Sequence, residues 1–327
     1  MLEYVIEKIA KAGITDIIIN VNPGEVDVMR KAFGDGEKWG VHLTYVEQQG
    51  GARGIAHAVA NAEPYLKGDS FVYFLGDNIL LGDIRGLRET FDSKNLDCLI
   101  ALARVQHPQR FGVAKFDESG ALIGAVEKPE IPPSSLAITG IYFFDEQYFD
   151  AFKTMKPSAR GEYEITDMIE WYLRNGRVGH EEITGWWKDT GKPEDLLEGN
   201  ALLLNELRQE DAAQEGTVDP TARIQGKVAI GKGTTIGPEC LIRGPVVIGA
   251  GCVIENAFVG PYTSIGDNVT IRDTEIEHSI VFDGAKISSG SRIVDAIIGK
   301  DASVTSAMVT KPRGHRLIIG DNSVVEL

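Results

Sequence analysis

An aliphatic residue recurs at every sixth position through the C-terminal third of the chain: Val218, Ile224, Ile230, Ile236, Ile242, Ile248 and Ile254. With single-residue slips the series continues through Val259, Ile265, Ile271, Ile276, Val281, Ile287, Ile293, Ile298 and Val304. Neither the 3.6-residue period of a helix nor the two-residue alternation of a strand produces this spacing. A coil with flat sides does, each side sending one aliphatic residue inward, so the period predicts a β-helix. Glycine follows the aliphatic at Ile230, Ile236, Ile248, Val259, Ile265 and Ile298. Glycine, Asn and Asp suit the corners, where the chain needs positive φ.

The first two thirds follow another rule. Leu2, Val5, Ile6 and Ile9 share one helical face, and Gly13 can close that helix in a left-handed cap. Ile17–Ile19, Val41–Val46, Ser70–Leu75 and Cys98–Val105 read as strands, with helices over Glu25–Phe33, Gly54–Asn61 and Ile84–Phe91. This β/α order predicts a parallel, helix-covered sheet with Ser70–Leu75 buried in it. Strands then come in quick succession at Val113–Phe116, Leu122–Val126 and Ile138–Phe144, which predicts an inserted antiparallel part. Helices return at Ile165–Arg174 and Glu194–Leu207. The expected organisation is an α/β domain over 1–207, a polar linker over 208–216 and a repeat domain over 217–327.

A net charge of −15 disfavours nucleic acid or an anionic membrane as partner. Such a chain binds phosphates only through local devices: a divalent cation, a few placed Lys or Arg, or backbone N–H groups. The three cysteines, Cys98, Cys240 and Cys252, are scattered and form no metal or disulfide spacing. With no long apolar run, the chain is expected in the cytoplasm.

Four segments can carry chemistry. Leu75-Gly76-Asp77-Asn78 puts a carboxylate just past an apolar strand, where α/β folds bind ligands; the plain alternative is a turn-opening Asp. Trp187-Lys188-Asp189-Thr190-Gly191 offers a second carboxylate before a glycine turn, or else a helix cap ahead of Pro193. Two such carboxylates could share one Mg²⁺, which takes one or two carboxylates plus substrate phosphates. Glu127-Lys128-Pro129 can accept from sugar hydroxyls and neutralise a phosphate, or be a solvated charge pair. Gln49 to Ala58 is a glycine-rich loop entering a helix, and Gln49 can both donate to and accept from a nucleobase edge. As an ordinary turn it would need no ligand.

L-G-D-N, R-F-G-V, E-K-P, T-G-I-Y-F-F-D, A-R-G-E-Y-E-I-T-D and W-x-D-T-G occur together and in this order. In that the chain resembles the long form of the glucose-1-phosphate thymidylyltransferases, sugar-phosphate nucleotidyltransferases with C-terminal hexapeptide repeats. The resemblance implies a Rossmann-like (GT-A-like) α/β domain followed by a left-handed parallel β-helix. It implies Mg²⁺ on Asp77 and Asp189, with Lys128 and Arg160 acting on the phosphates. Gln49, Gly54 and Gly76 would meet the nucleotide, and Gly112, Glu127, Lys128, Ile138 and Tyr142 the sugar phosphate. The implied substrates are dTTP, or UTP, and glucose 1-phosphate, and the implied assembly is a homo-oligomer.

The family pattern also has a strand and a G-G-x-G-T-R-L phosphate loop ahead of a helix like Leu2–Ala12, and no such motif occurs in this sequence. In the family that strand lies mid-sheet, so its neighbours here are expected to hold unpaired, buried backbone groups, each costing about 1–3 kcal/mol. We read Met1 as an internal methionine of a longer reading frame. Two other functions stay open: an additional acyl transfer using His278 or His315, and a non-catalytic regulatory subunit. Because the triphosphate cradle is lacking, the 327 residues should form little or no dTDP-glucose. Product formation from dTTP and glucose 1-phosphate, followed by chromatography, checks this.

Overall fold

The computed structural model describes residues 1–306. Backbone contacts divide the chain into two compact units, Met1–Gly191 and Lys192–Leu327.

The first unit runs α1 (Leu2–Lys11), β1 (Asp16–Val21), α2 (Val26–Phe33), β2 (His42–Glu47), α3 (Ile55–Ala60), α4 (Glu63–Leu66), β3 (Phe71–Phe74), β4 (Asn78–Leu80) and α5 (Arg85–Ser93). It continues with β5 (Cys98–Arg104), β6 (Gly112–Phe116), β7 (Leu122–Glu127), β8 (Leu136–Phe144), α6 (Tyr148–Thr154), α7 (Ile165–Asn175), β9 (Val178–Glu182) and β10 (Trp187–Asp189). Val5, Ile6 and Ile9 of α1 are buried as their spacing predicts, and Gly13 follows the helix at φ 78°.

The main sheet is mixed: β6, β7 and β8 form the antiparallel part that their quick succession predicts, and β8 also enters among the strands expected to run parallel. Its order is β7-β6-β8-β5-β9, with β3 on the other side of β8. β8 is antiparallel to β3, β5 and β6; only β5 and β9 run parallel. The late strand inserts between two earlier ones because its nine residues are apolar on both faces: eight are buried, and only a central position covers both sides.

β1 pairs in parallel with β2 as a separate two-stranded sheet. Among the described strands, β1 and β3 each keep one edge unpaired. A cavity of about 900 Å³ lies between them, lined by Ile17–Asn20, Phe71–Phe74 and the apolar faces of α1 and α3. All four residues of β3 are therefore only half-buried, where the sequence predicts a buried strand. Asn20 Nδ2 donates to Ala58 O at 2.6 Å, while its buried Oδ1 has no hydrogen-bond partner.

In the second unit, α8 (Pro193–Asn205) precedes the repeats. Asn200 joins it to them, Nδ2 donating to Tyr262 O at 3.0 Å and Oδ1 accepting from Ser264 Oγ at 2.6 Å. The repeats form a parallel β-helix of about five turns. Arg223 pairs with Leu241 and Val228 with Val246, one full coil apart; after a slip Val246 pairs with Thr263. The single-residue slips in the sequence period are thus shortened coils. The interior is a stack of Ile230, Ile236, Ile242, Ile248, Ile254, Ile265, Ile271, Ile276 and Ile287 with their neighbours. Corners stack in columns of positive φ: Glu239, Asn256, Asp273 and Gly290 form one, and Gly233, Gly251, Asn268, Gly284 and Asp301 another.

No helix among the described residues is long and apolar enough to cross a membrane. Ile254 is fully buried inside the β-helix. Truncating it to alanine should cost about 2–5 kcal/mol through lost burial and the cavity left behind. A drop in the urea midpoint of the full chain checks this.

Candidate active site

Asp77 sits in the turn after β3, and Asp189 ends β10. β4 and β10 pair antiparallel with Asn78 opposite Asp189, so the two aspartates come from one corner of the unit. The corner is tied again by Thr190, whose N and Oγ1 both donate to Asp77 O, at 2.9 and 2.6 Å. Gly191 N donates to Asp189 Oδ1 at 2.9 Å. Gly191 has no side chain to fill the gap: a Cβ there would stand 3.2 Å from Asp189 Oδ1 and 3.6 Å from Asp77 Oδ2. The two carboxylates therefore converge on one small space that the glycine leaves clear.

That donor set fits Mg²⁺, a hard cation that keeps water and takes phosphate oxygens as its further ligands. Among the described residues no group of three or more His, Cys, Asp or Glu side chains could hold a metal. A two-carboxylate site suits a cation shared with a bound triphosphate rather than an all-protein cage.

A second cluster forms at the ends of β6, β7 and β8. Gly112 pairs with Glu127 across β6 and β7. A Cβ on Gly112 would meet Thr166, Glu127 Oε2 and Ile138 at 3.1, 3.4 and 3.6 Å, so Gly112, Glu127 and Ile138 line one spot. Lys128 follows at φ 40°, a left-handed conformation uncommon for a bulky residue, held by its N donating to Phe111 O at 3.0 Å. That turn brings the ammonium back to 3.8 Å from Glu127 Oε1. Tyr142 is 3% exposed and packs between Tyr73 and Phe144, in the core behind the spot. Burial pushes the Tyr73 hydroxyl up to about 12 and that of Tyr142 further, so both stay neutral.

Arg160 stands among three carboxylates: Glu162 at 2.7 Å, Glu164 at 3.3 Å and Glu127 at 3.6 Å. Burial first, and the Glu164 charge second, raise the Glu127 carboxyl above its usual range, against the pull of Lys128 and Arg160. The third segment, the glycine-rich loop, is zipped to the Arg160 loop. Tyr163 N donates to Arg53 O at 2.7 Å, and Ala56 N to Tyr163 O at 3.2 Å. Gly54, at φ 94°, must be glycine, since a Cβ would lie 2.6 Å from Tyr163 O. Gln49 is exposed, its N fixed by Asn61 Oδ1 at 2.8 Å. Gly76 is exposed beside Leu2.

The structure thus gathers Asp77 with Asp189, and Gly112 with Glu127, Lys128, Ile138 and Arg160. The sequence reading did not single out Asn78, Thr190, Gly191 or Glu164. Each stood inside a quoted motif, but their roles arise from contacts between segments. His278 holds a β-helix corner at φ 46°, with Nδ1 2.5 Å from Asp295 Oδ1 and its ring edge-on to Tyr262. His315 lies outside the described residues.

Two converging carboxylates in the same unit as a Glu–Lys–Arg cluster are a set of groups that can serve an enzyme acting on phosphates. The nucleotidyl transferase family matches residues 1–206, and the GMPPB C-terminal domain family matches 242–326. The chain is 42% identical to the low-salt glycan biosynthesis nucleotidyltransferase Agl11 of Haloferax volcanii, over all of this chain and 91% of that protein. It is 41% identical to a glucose-1-phosphate thymidylyltransferase of Streptomyces antibioticus, over all of this chain and 90% of that one. A solved Bacillus anthracis structure, described as a glucose-1-phosphate thymidylyltransferase in complex with a sucrose, superposes with TM-score 0.58 at 39% identity, over 62% of this chain and 81% of its own. The chain belongs to the nucleotidyl transferase family, on its glucose-1-phosphate thymidylyltransferase branch.

Because the fold disfavours the charged form of Glu127, its folded pKa lies above the unfolded one. The stability linked to this group is complete below the unfolded pKa and is lost as pH rises through the folded value. Glu127→Gln should therefore raise the melting temperature at pH 7, with the gain shrinking as pH falls toward 4. Scanning fluorimetry across that pH range checks the sign.

Proposed function

We propose that these residues serve the transfer of a thymidylyl group from dTTP to glucose 1-phosphate, giving dTDP-glucose and pyrophosphate with Mg²⁺ as cofactor. The observation that carries the reading is the convergence of Asp77 and Asp189 beside Gly191, in the same unit as the Glu127–Lys128 pocket. The sugar phosphate oxygen attacks the α-phosphorus in line with the departing pyrophosphate, so both substrates bring negative charge to one point. Catalysis then rests on positioning and charge neutralisation. Mg²⁺, held by Asp77 and Asp189, supplies charge neutralisation at the phosphates.

The remaining roles belong to side chains. Glu127 accepts from sugar hydroxyls, and its raised pKa marks a carboxylate whose ordinary hydration has been stripped. Lys128 offers three donors to the sugar's phosphate. Arg160, paired with Glu127, Glu162 and Glu164, offers its guanidinium to the phosphates. Gln49 reads the base edge; UTP differs from dTTP by a base methyl group and a ribose 2′-hydroxyl, and the methyl alone is worth about 1–3 kcal/mol. The same reading places the protein in the cytoplasm as a homo-oligomer.

Binding is the first measurement. Titration calorimetry should show glucose 1-phosphate binding, weakened at least tenfold by Lys128→Ala or Glu127→Gln. Unchanged affinity in both variants overturns the pocket assignment. dTTP should bind more tightly than UTP, and the reverse order would replace the donor.

A further inference from the structure

Asn78 is 1% exposed, and nothing above uses its side chain. Its Oδ1 accepts two hydrogen bonds from different strands: Trp187 Nε1 of β10 at 2.7 Å and Gly140 N of β8 at 3.2 Å. Both donors are N–H groups that can only donate, so the oxygen of the amide must face them. The amide nitrogen is thereby turned the other way, where Nδ2 donates to Asp77 Oδ1 at 2.8 Å. The backbone repeats the restraint: Asn78 N donates to Leu75 O at 3.1 Å, and Leu75 N to Gly140 O at 2.9 Å. Gly140 allows this approach, because a Cβ there would fall 2.6 Å from Leu75.

The consequence falls on Asp77. One of its oxygens, Oδ1, is engaged by the amide. The other, Oδ2, is the one that lies toward Gly191 and Asp189 Oδ1. A short carboxylate on an exposed turn would otherwise rotate about its side-chain bonds and average its two oxygens over the space.

We propose that Asn78 is the positioning residue of the aspartate pair: its amide, oriented by Trp187 and Gly140, holds Asp77 with Oδ2 presented to the cation. This role rests on the reading of Asp77 and Asp189 as the magnesium ligands. Both amide atoms of Asn78 are hydrogen-bonded to protein groups. It acts as outer-shell partners of metal ligands do, where loss of the hydrogen bond costs roughly 10–100-fold in metal affinity. Trp187, fixed to the same oxygen, makes the arrangement visible by its fluorescence.

Mn²⁺ alone, added to the full chain and followed by the loss of its free paramagnetic resonance signal, tests the role without turnover. Asn78→Ala should weaken Mn²⁺ binding at least tenfold while leaving glucose 1-phosphate affinity within twofold, and should shift the tryptophan emission. Trp187→Phe keeps Asn78 and Gly140 in place, so it should fold like the parent and weaken Mn²⁺ by a smaller factor of the same sign. Asp77→Asn runs alongside. If Asp77→Asn leaves Mn²⁺ affinity intact, or the unaltered chain shows no saturable site, the metal pair is wrong and the role of Asn78 goes with it. If Asp77→Asn abolishes binding but Asn78→Ala and Trp187→Phe do not weaken it, the pair stands and the positioning role is overturned. Should Asn78→Ala lose Mn²⁺ and sugar-phosphate binding together, its contribution is to the fold alone, and the proposal is equally overturned.

Discussion

Three residue pairs between β4 and β10 carry more consequence than any other contact in the first unit. They join segments that are remote in the chain, and only this pairing brings the two aspartates to one corner. Closing so long a loop costs conformational entropy that grows with its length, so the pairing persists only because other contacts have already ordered its ends. Buried Ile79 and Leu80 anchor β4, and Thr190 and Trp187 lock β10 to it.

The acidic balance of the chain is handled locally. Arg160 does not stand free in the pocket; it is stored among Glu127, Glu162 and Glu164. The exposed Arg160–Glu162 pair is weak, about 0–1 kcal/mol. Glu127 experiences the opposite pressure, since burial and Glu164 work against its charge.

The two units solve the problem of edges differently. In the β-helix every coil lies in register on the next, and the side columns of positive φ turn the chain without breaking the ladder. In the first unit β1 and β3 face each other across an apolar cavity with one edge each unpaired among the described strands. The half-burial of Phe71–Phe74 and the partnerless Asn20 Oδ1 follow from that gap. Aromatic packing of Phe71 on Phe144, Tyr148 and Phe149 supports β3 from its other side.

By itself the sequence determined the β-helix, because a six-residue period has one physical solution and its slips translate directly into shorter coils. It determined most helices and strands of the first unit, where apolar spacing is a local property. It also pointed to Asp77, Asp189, Glu127 and Lys128, since each stands in a motif whose chemistry is visible in the chain. Only the tertiary structure decided that β8 enters between β3 and β5. Strand order depends on which faces can be buried together, and no local pattern records that. It alone turned Asn78 into the hub of the corner and Gly191 into the space between two carboxylates. Hydrogen bonds between residues 78, 140 and 187 exist only once three distant strands have met.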